Sequence, residues 1–343
     1  MGTGEPVLWA EATGYVGRMS TQKPTFTTPE SELFPDDAEP SSPVSTREAF
    51  IERSRSGYTK LRHEFVQVPA SSTGGAASPA MLPIFARNHR AAVLYLALLT
   101  NWPWLGRSGE ALAADTWIRF LSSDKTGSLT WTAQSLSHAW KVLEDAKLVE
   151  RTLVNRLKKV TPLRESGSGE PYTSPDGDTG GLYVGLPHTF WTDELHATLS
   201  WPALAVLLIL LKETSGRPSA ELPVDKAEKY YGISRTTAEA GLAELRDKEL
   251  LLSANRWVQD HVAGEGRRWT SLHALLGPYS TAQRHNLQGA AKKRHDEARA
   301  KTAATKTRTA ATTTTVATTK RADKKKTKKK KVVNDEHSAK VSG

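Results

Sequence analysis

Residues 222–252 read LPVDKAEKYYGISRTTAEAGLAELRDKELLL, a pattern of two helices joined by a tight turn. The first helix is expected over residues 224–231 and the second from Ser234. Gly232 suits the positive φ that ends one helix, and Ser234 is placed to cap the free amides of the next. In the second helix Ala238, Leu242 and Leu245 recur at spacings of four and three. One face is therefore buried while Arg235, Thr236 and Glu239 point outward. This is a helix-turn-helix signal, and its outward side chains are the candidate readers of a groove.

The stretch closely resembles the winged-helix domains of the bacterial GntR family, whose second helix starts Ser-Arg-x-Thr, matched here by Ser234, Arg235, Thr236 and Thr237. The resemblance covers this module alone. It implies that Arg235 and Thr237 contact DNA in the major groove. Glu239 stands where that family carries a basic residue, and Glu249 where it carries a helix-ending Gly. An acidic side chain beside phosphates is repulsive.

The same plan is expected upstream. Residues 1–61 mix Pro, Ser, Thr and acids with few periodic apolar positions and are expected to stay unfolded, with room for a short partner-docking helix around residues 47–53. Residues 65–69, FVQVP, alternate like a strand. Helices are expected over residues 88–100, 111–121 and 132–146, the last with Leu136, Trp140 and Leu143 at spacings of four and three. Trp102 and Trp104 flank Pro103 in what reads as a loop. A strand is expected at residues 148–156, a long loop at 158–181 and another strand at 182–186. The second copy opens with a helix at residues 201–213 and closes with strands at 257–262 and 269–275 around Gly264-Glu265-Gly266, a wing. An internal repeat ties the copies: at an offset of 102, Thr132 matches Ser234, Ser135 matches Thr237, Leu143 matches Leu245, Asp145 matches Asp247 and Leu148 matches Leu250. Ordinary helix periodicity in two unrelated units is the plainer alternative.

Charge separates the parts. The net charge is +10, but residues 289–331 hold 16 basic against 3 acidic residues, so the basic balance belongs to a tail. Residues 83–165 carry 12 basic and 7 acidic residues, whereas residues 186–277 carry 10 and 12. A phosphate-facing surface needs the positive sign, so copy one is expected to be the stronger DNA contact. Its outward candidates are Thr132, Gln134, Ser137, His138 and Lys141, with Arg156, Lys158 and Lys159 near the wing. The bland alternative for these is a cap and a solvated face. Copy two offers Ser234, Arg235, Thr236, Thr237, Arg267 and Arg268, or a dimer contact instead. In the tail, Lys324, Lys325, Lys326, Lys328, Lys329, Lys330 and Lys331 form a polycation resembling the lysine-rich ends of histone-like proteins, suited to sequence-independent grip.

Other classes find little support. There is no cysteine, which excludes thiolate zinc sites and thiol catalysis, and no run approaches the roughly 20 apolar residues of a membrane span. A phosphate-binding Gly-Lys loop, HExxH and GxSxG are all missing, so the chain is expected not to be an enzyme and to need no cofactor or metal. His188 and His196 read as surface residues. Trp117, Trp140, Trp201, Trp257 and Trp269 read as core, and Trp131 as a staple or a stacking surface.

The expected fold is mainly α with small β-wings. Two tandem winged-helix domains, residues 62–187 and 188–278, sit between a disordered N-terminal segment, 1–61, and a basic disordered tail, 279–343. The expected function is sequence-specific binding of double-stranded DNA. Tandem winged helices introduced by a strand ending in Pro resemble the replication initiators of bacterial plasmids and phages, which implies initiation or maintenance of replication. A transcriptional repressor is the alternative, and a nucleoid-type protein binding through its tail is a third. Expected partners are DNA, a second copy in a homodimer, and replication or transcription machinery, in the cytoplasm on a nucleoid or plasmid and away from membranes.

Overall fold

The computed structural model describes residues 39–69, 77–177 and 181–302. The first 38 residues and the run Lys324–Lys331 lie outside the described residues. Order begins earlier than the hydropathy pattern suggests. Ser42 Oγ accepts from Ser45 N at 3.1 Å and Pro43 occupies the first turn, so helix α1, Pro43–Ser54, forms inside the segment expected to be unfolded. Its inward face is Thr46, Arg47, Phe50 and Ser54, one large apolar residue among polar ones, which is why periodicity misses it. Phe50 packs between Trp104 and Phe120, and Arg47 is buried against Glu194 and the Ser122 carbonyl. The helix expected to dock on a partner docks on its own chain.

Strand β1, Tyr58–Arg62, follows. The strand expected at residues 65–69 shrinks to Gln67–Val68, paired with Ser78–Pro79, because His63–Val66 makes a helical turn. A turn of helix lets the adjacent Phe65 and Val66 both face inward, where an alternating strand would expose one of them. Helix α2, His89–Ser108, runs straight through Pro103, so the tryptophans expected in a loop are helical. The buried Trp104, whose indole N–H donates to Asn101 Oδ1 at 3.2 Å, helps hold the helix across the proline. Helices α3, Ala114–Leu121, and α4, Ala133–Asp145, lead into an antiparallel hairpin of β2, Val149–Val154, and β3, Leu157–Pro162. Asn155 and Arg156 turn it with φ of 48° and 65°, the two positive values of a type I′ turn. Strand β3 therefore replaces the start of the long loop expected from residue 158. Arg156, standing where Gly is usual, conceals the turn.

Strand β4, Tyr183–Pro187, pairs antiparallel with β1, Tyr58 opposite Pro187 and Arg62 opposite Tyr183. The helix–helix–helix–hairpin succession then recurs. Helix α5, Trp201–Glu213, is buried all round from Ala203 to Leu211. After β5, Ala220–Glu221, the helix expected at residues 224–231 splits into a 3-10 turn, Val224–Lys226, and a short α6, Ala227–Tyr231. Gly232, at φ 68°, and Ser234, whose Oγ accepts from Thr237 N at 3.1 Å, then lead into α7, Arg235–Asp247. Strands β6, Leu251–Gln259, and β7, Arg267–Leu275, form the second hairpin, with β7 central between β5 and β6. Val262, expected in a strand, stands in the connecting turn, 95% exposed.

The two helix-to-hairpin junctions match in backbone detail. Lys147 and Glu249, 102 residues apart, take left-handed φ values of 55° and 57°, and Leu148 N and Leu250 N donate to Leu143 O and Leu245 O at 2.9 Å each. Glu249 thus adopts the conformation in which a glycine is usual.

A single hydrophobic cluster runs from Phe50 to Tyr279 across both successions, with Phe85 against Trp201 at 6.1 Å. The boundary expected at residue 187 therefore divides no core. Beyond Tyr279, residues 281–302 are helical. This helix lies within the tail expected to be disordered from residue 279, and Arg284 anchors it. That guanidinium, 3% exposed, donates to the carbonyls of Leu211, Thr214 and Tyr279, the first two at the end of α5. Among the described residues no helix is long and apolar enough to cross a membrane.

Candidate nucleic-acid interface

Helix α4 is amphipathic in the manner its spacing predicts. Leu136, Ala139, Trp140 and Leu143 are buried, while Gln134, Ser137, His138 and Lys141 are exposed on the other face. Thr132 caps the helix: its Oγ1 accepts from Ser135 N at 3.1 Å and Ser135 Oγ accepts from Thr132 N at 2.9 Å. Thr132 is thus spent on structure as well as exposed. Lys141 faces Asp145 at 3.7 Å, an exposed pair of small worth.

The first hairpin supplies two exposed cations, of which Lys158 lies near enough to Glu144 to help lower that carboxyl's pKa. Arg156 sits in its turn and Lys158 on β3, both exposed, and neither has a carboxylate within 4.0 Å among the described residues. Arg151 on β2 is bound to Glu144, holding that carboxyl below its usual range. Strand alternation separates the lysines expected to act together. Lys158 shares a face with Leu153, opposite it, with Val160, two along, and with Arg151, opposite Val160, whereas Lys159 is on the reverse face with Nζ beside Gly109. Lys159 therefore does not join the α4 surface.

Copy two is arranged differently. Helix α7 buries Ala238, Gly241, Leu242 and Leu245 and exposes Arg235 and Thr236. Ser234 and Thr237 are engaged with each other, Oγ to Oγ1 at 2.9 Å, in the cap. Arg235 is held between Asp225 at 2.7 Å and Glu239 at 2.8 Å, and those bonds raise its pKa further. Arg268 is held between Glu221 at 2.7 Å and Asp260 at 3.0 Å, while Arg267 lies over the Trp257 ring and 3.6 Å from Glu265. Each cation expected to reach DNA from copy two already has a carboxylate. The residues matching the GntR pattern are in place, but their charge is internally balanced.

Several residues fall elsewhere than expected. Trp117, Trp140 and Trp201 are core, and Trp131, 8% exposed, is buried with them and not offered as a stacking surface. Trp257 and Trp269 are not core: they are 51% and 57% exposed, facing each other across the hairpin at 5.4 Å. They lie on the same strand faces as the buried Leu251 and Leu275, but the strands outrun the helices that would cover them. Polar Asn255 and Ser271 on those faces were the signal available in the sequence. His188 and His196 are buried, 6% and 1% exposed, and burial pushes both imidazoles down to about 4. Sequence reasoning also missed a cavity of about 300 Å³ between α3, α4 and the first hairpin, lined by Trp117, Trp140, Arg156 and Lys158 among others.

No group of His, Asp or Glu among the described residues has the arrangement to hold a metal ion. The site offers hydrogen-bonding side chains on an exposed helix face, flanked by Arg156 and Lys158, exposed cations outside any direct ion pair among the described residues. In three comparisons with known proteins, no family model, no curated protein and no solved structure matches the chain.

Proposed function

We propose that the chain is a sequence-specific double-stranded DNA-binding protein built on two tandem winged-helix units that share one core, with a role in initiating or maintaining replication of plasmid or phage type. One observation carries the DNA-binding reading: the exposed α4 face of Gln134, Ser137 and His138 lies with Arg156 and Lys158, exposed cations with no carboxylate within 4.0 Å among the described residues. Amide and hydroxyl groups on a helix in the major groove can meet base edges, Gln pairing with adenine and Ser with any base. The hairpin cations then position the helix on phosphates, which supply affinity without sequence information. Copy two, with its cations paired, contributes orientation or assembly more than charge. The lysine-rich tail adds salt-sensitive grip on any duplex. The chain works on this reading without a cofactor or a catalytic step.

Selection of bound fragments from a host DNA library, with the full chain and with a truncation after Thr302, tests this. Enrichment of one sequence by both proteins supports the specific reader. Iterated repeats beside an AT-rich segment support the replication role, and a single promoter palindrome supports repression instead. Loss of all DNA binding on truncation supports an architectural protein that binds through its tail.

A further inference from the structure

The cavity of about 300 Å³ beside α4 is not needed for reading a groove. Its walls are apolar: Trp117 and Trp140 meet edge to face at 5.4 Å, with Leu136 and Val160 beside them. Arg156 and Lys158 also line it, and neither has a carboxylate within 4.0 Å among the described residues. Arg151 lines it too: its charge is paired with Glu144 through one guanidinium nitrogen, but its Nε is buried with no hydrogen-bond acceptor. An apolar, aromatic-walled space with a few convergent cationic donors is the ordinary build of a small-ligand site, and the volume is at the lower end of the roughly 300–1,000 Å³ such sites span.

The chemistry narrows the occupant. Two indoles at right angles favour a further aromatic ring, by edge or by face. Guanidinium and ammonium groups around the same space favour one carboxylate, which a guanidinium can bind through two parallel hydrogen bonds. We propose that this cavity binds a small aromatic carboxylate, and that its occupancy weakens DNA binding by drawing Arg156 and Lys158 from phosphate to ligand. The second half rests on the proposed DNA contact of α4. The first half does not.

The test uses the full chain and 2-naphthoate as the probe. Calorimetric titration without DNA should give one site per chain, weakened tenfold or more in R156A/K158A. Both substituted side chains are exposed, and circular dichroism of the variant checks that it folds. A second variant, S137F, places a ring at the cavity lining from the exposed side of α4 and should abolish the site. A third, W257A/W269A, removes the other exposed aromatic pair and should leave binding unchanged. No binding at millimolar concentration overturns the proposal, as does binding indifferent to R156A/K158A or lost in W257A/W269A. DNA affinity is then measured with and without saturating 2-naphthoate. Reduced affinity supports the coupling, and undiminished affinity in the occupied protein overturns it. A chain that binds 2-naphthoate as described and no duplex at all keeps the site and refutes the DNA reading alone.

Discussion

The contrast between free and paired cations in the two hairpins makes a quantitative prediction about salt. Each phosphate contact made by a cation steepens the fall of log K with log[salt] by about 0.9. Arg156 and Lys158 are exposed and break no direct ion pair on meeting a phosphate, so replacing both with Ala should flatten the slope by about 1.8. Over a fourfold rise from about 50 to 200 mM salt this amounts to roughly a tenfold smaller loss of affinity than in the unaltered chain. Arg267 and Arg268 are already held by Glu265, Glu221 and Asp260, so R267A/R268A should leave the slope nearly unchanged. The assay is fluorescence anisotropy of a labelled duplex taken from the fragment selection, titrated at five salt concentrations with the full chain and each double variant. The tail contributes equally to all three proteins, so differences in slope report the hairpins. An unchanged slope in R156A/K158A together with a flattened one in R267A/R268A would refute the assignment of the charged contact to copy one.

Three further outcomes follow from packing. His188 and His196 have folded pKa values of about 4 against an ordinary 6.5, so the fold prefers them neutral. Their contribution to stability is complete above pH 6.5 and drains away as pH falls towards 4, by about 2 kcal/mol each at pH 5, and urea titrations at pH 7 and pH 5 measure it. A Cβ at Gly241 would sit 2.3 Å from the Pro202 carbonyl oxygen, so Gly241→Ala should force α7 away from α5 and cost about 1–3 kcal/mol in thermal unfolding. An unchanged midpoint would show that the two helices separate freely. Arg284→Met should release residues 281–302 from the end of α5, seen as tryptic cleavage within that helix while the remainder stays resistant.

Elements whose signal is local were legible in the sequence. Gly232 followed by Ser234 marked the turn into α7, and the spacing of Leu136, Trp140 and Leu143 fixed the buried face of α4. Repetition at an offset of 102 resurfaced as matched left-handed residues, Lys147 and Glu249. What stayed hidden depends on distant partners. Helix α1 is held by Arg47 on Glu194 and Phe50 on Phe120, contacts that no window of sequence contains. Strand β3 was concealed because its turn uses Arg156 in place of Gly, and the helix through Pro103 because the packing of Trp104 overrides a local breaker. For the candidate site, side-chain identity was readable but ionic state was not. Arg235 and Arg156 look alike in a sequence, and only the fold shows one enclosed by acids and the other open.

The pairing of β1 with β4 bears on how the chain is made. Tyr58 meets Pro187, so a strand emerging early from the ribosome has no partner until well over a hundred further residues have been added. At roughly 5–20 residues per second, that leaves a bare backbone edge for on the order of ten seconds. Expressing either half alone would make the exposure permanent, which is the condition under which strands associate between molecules. The two halves are best produced, and mutated, as one polypeptide.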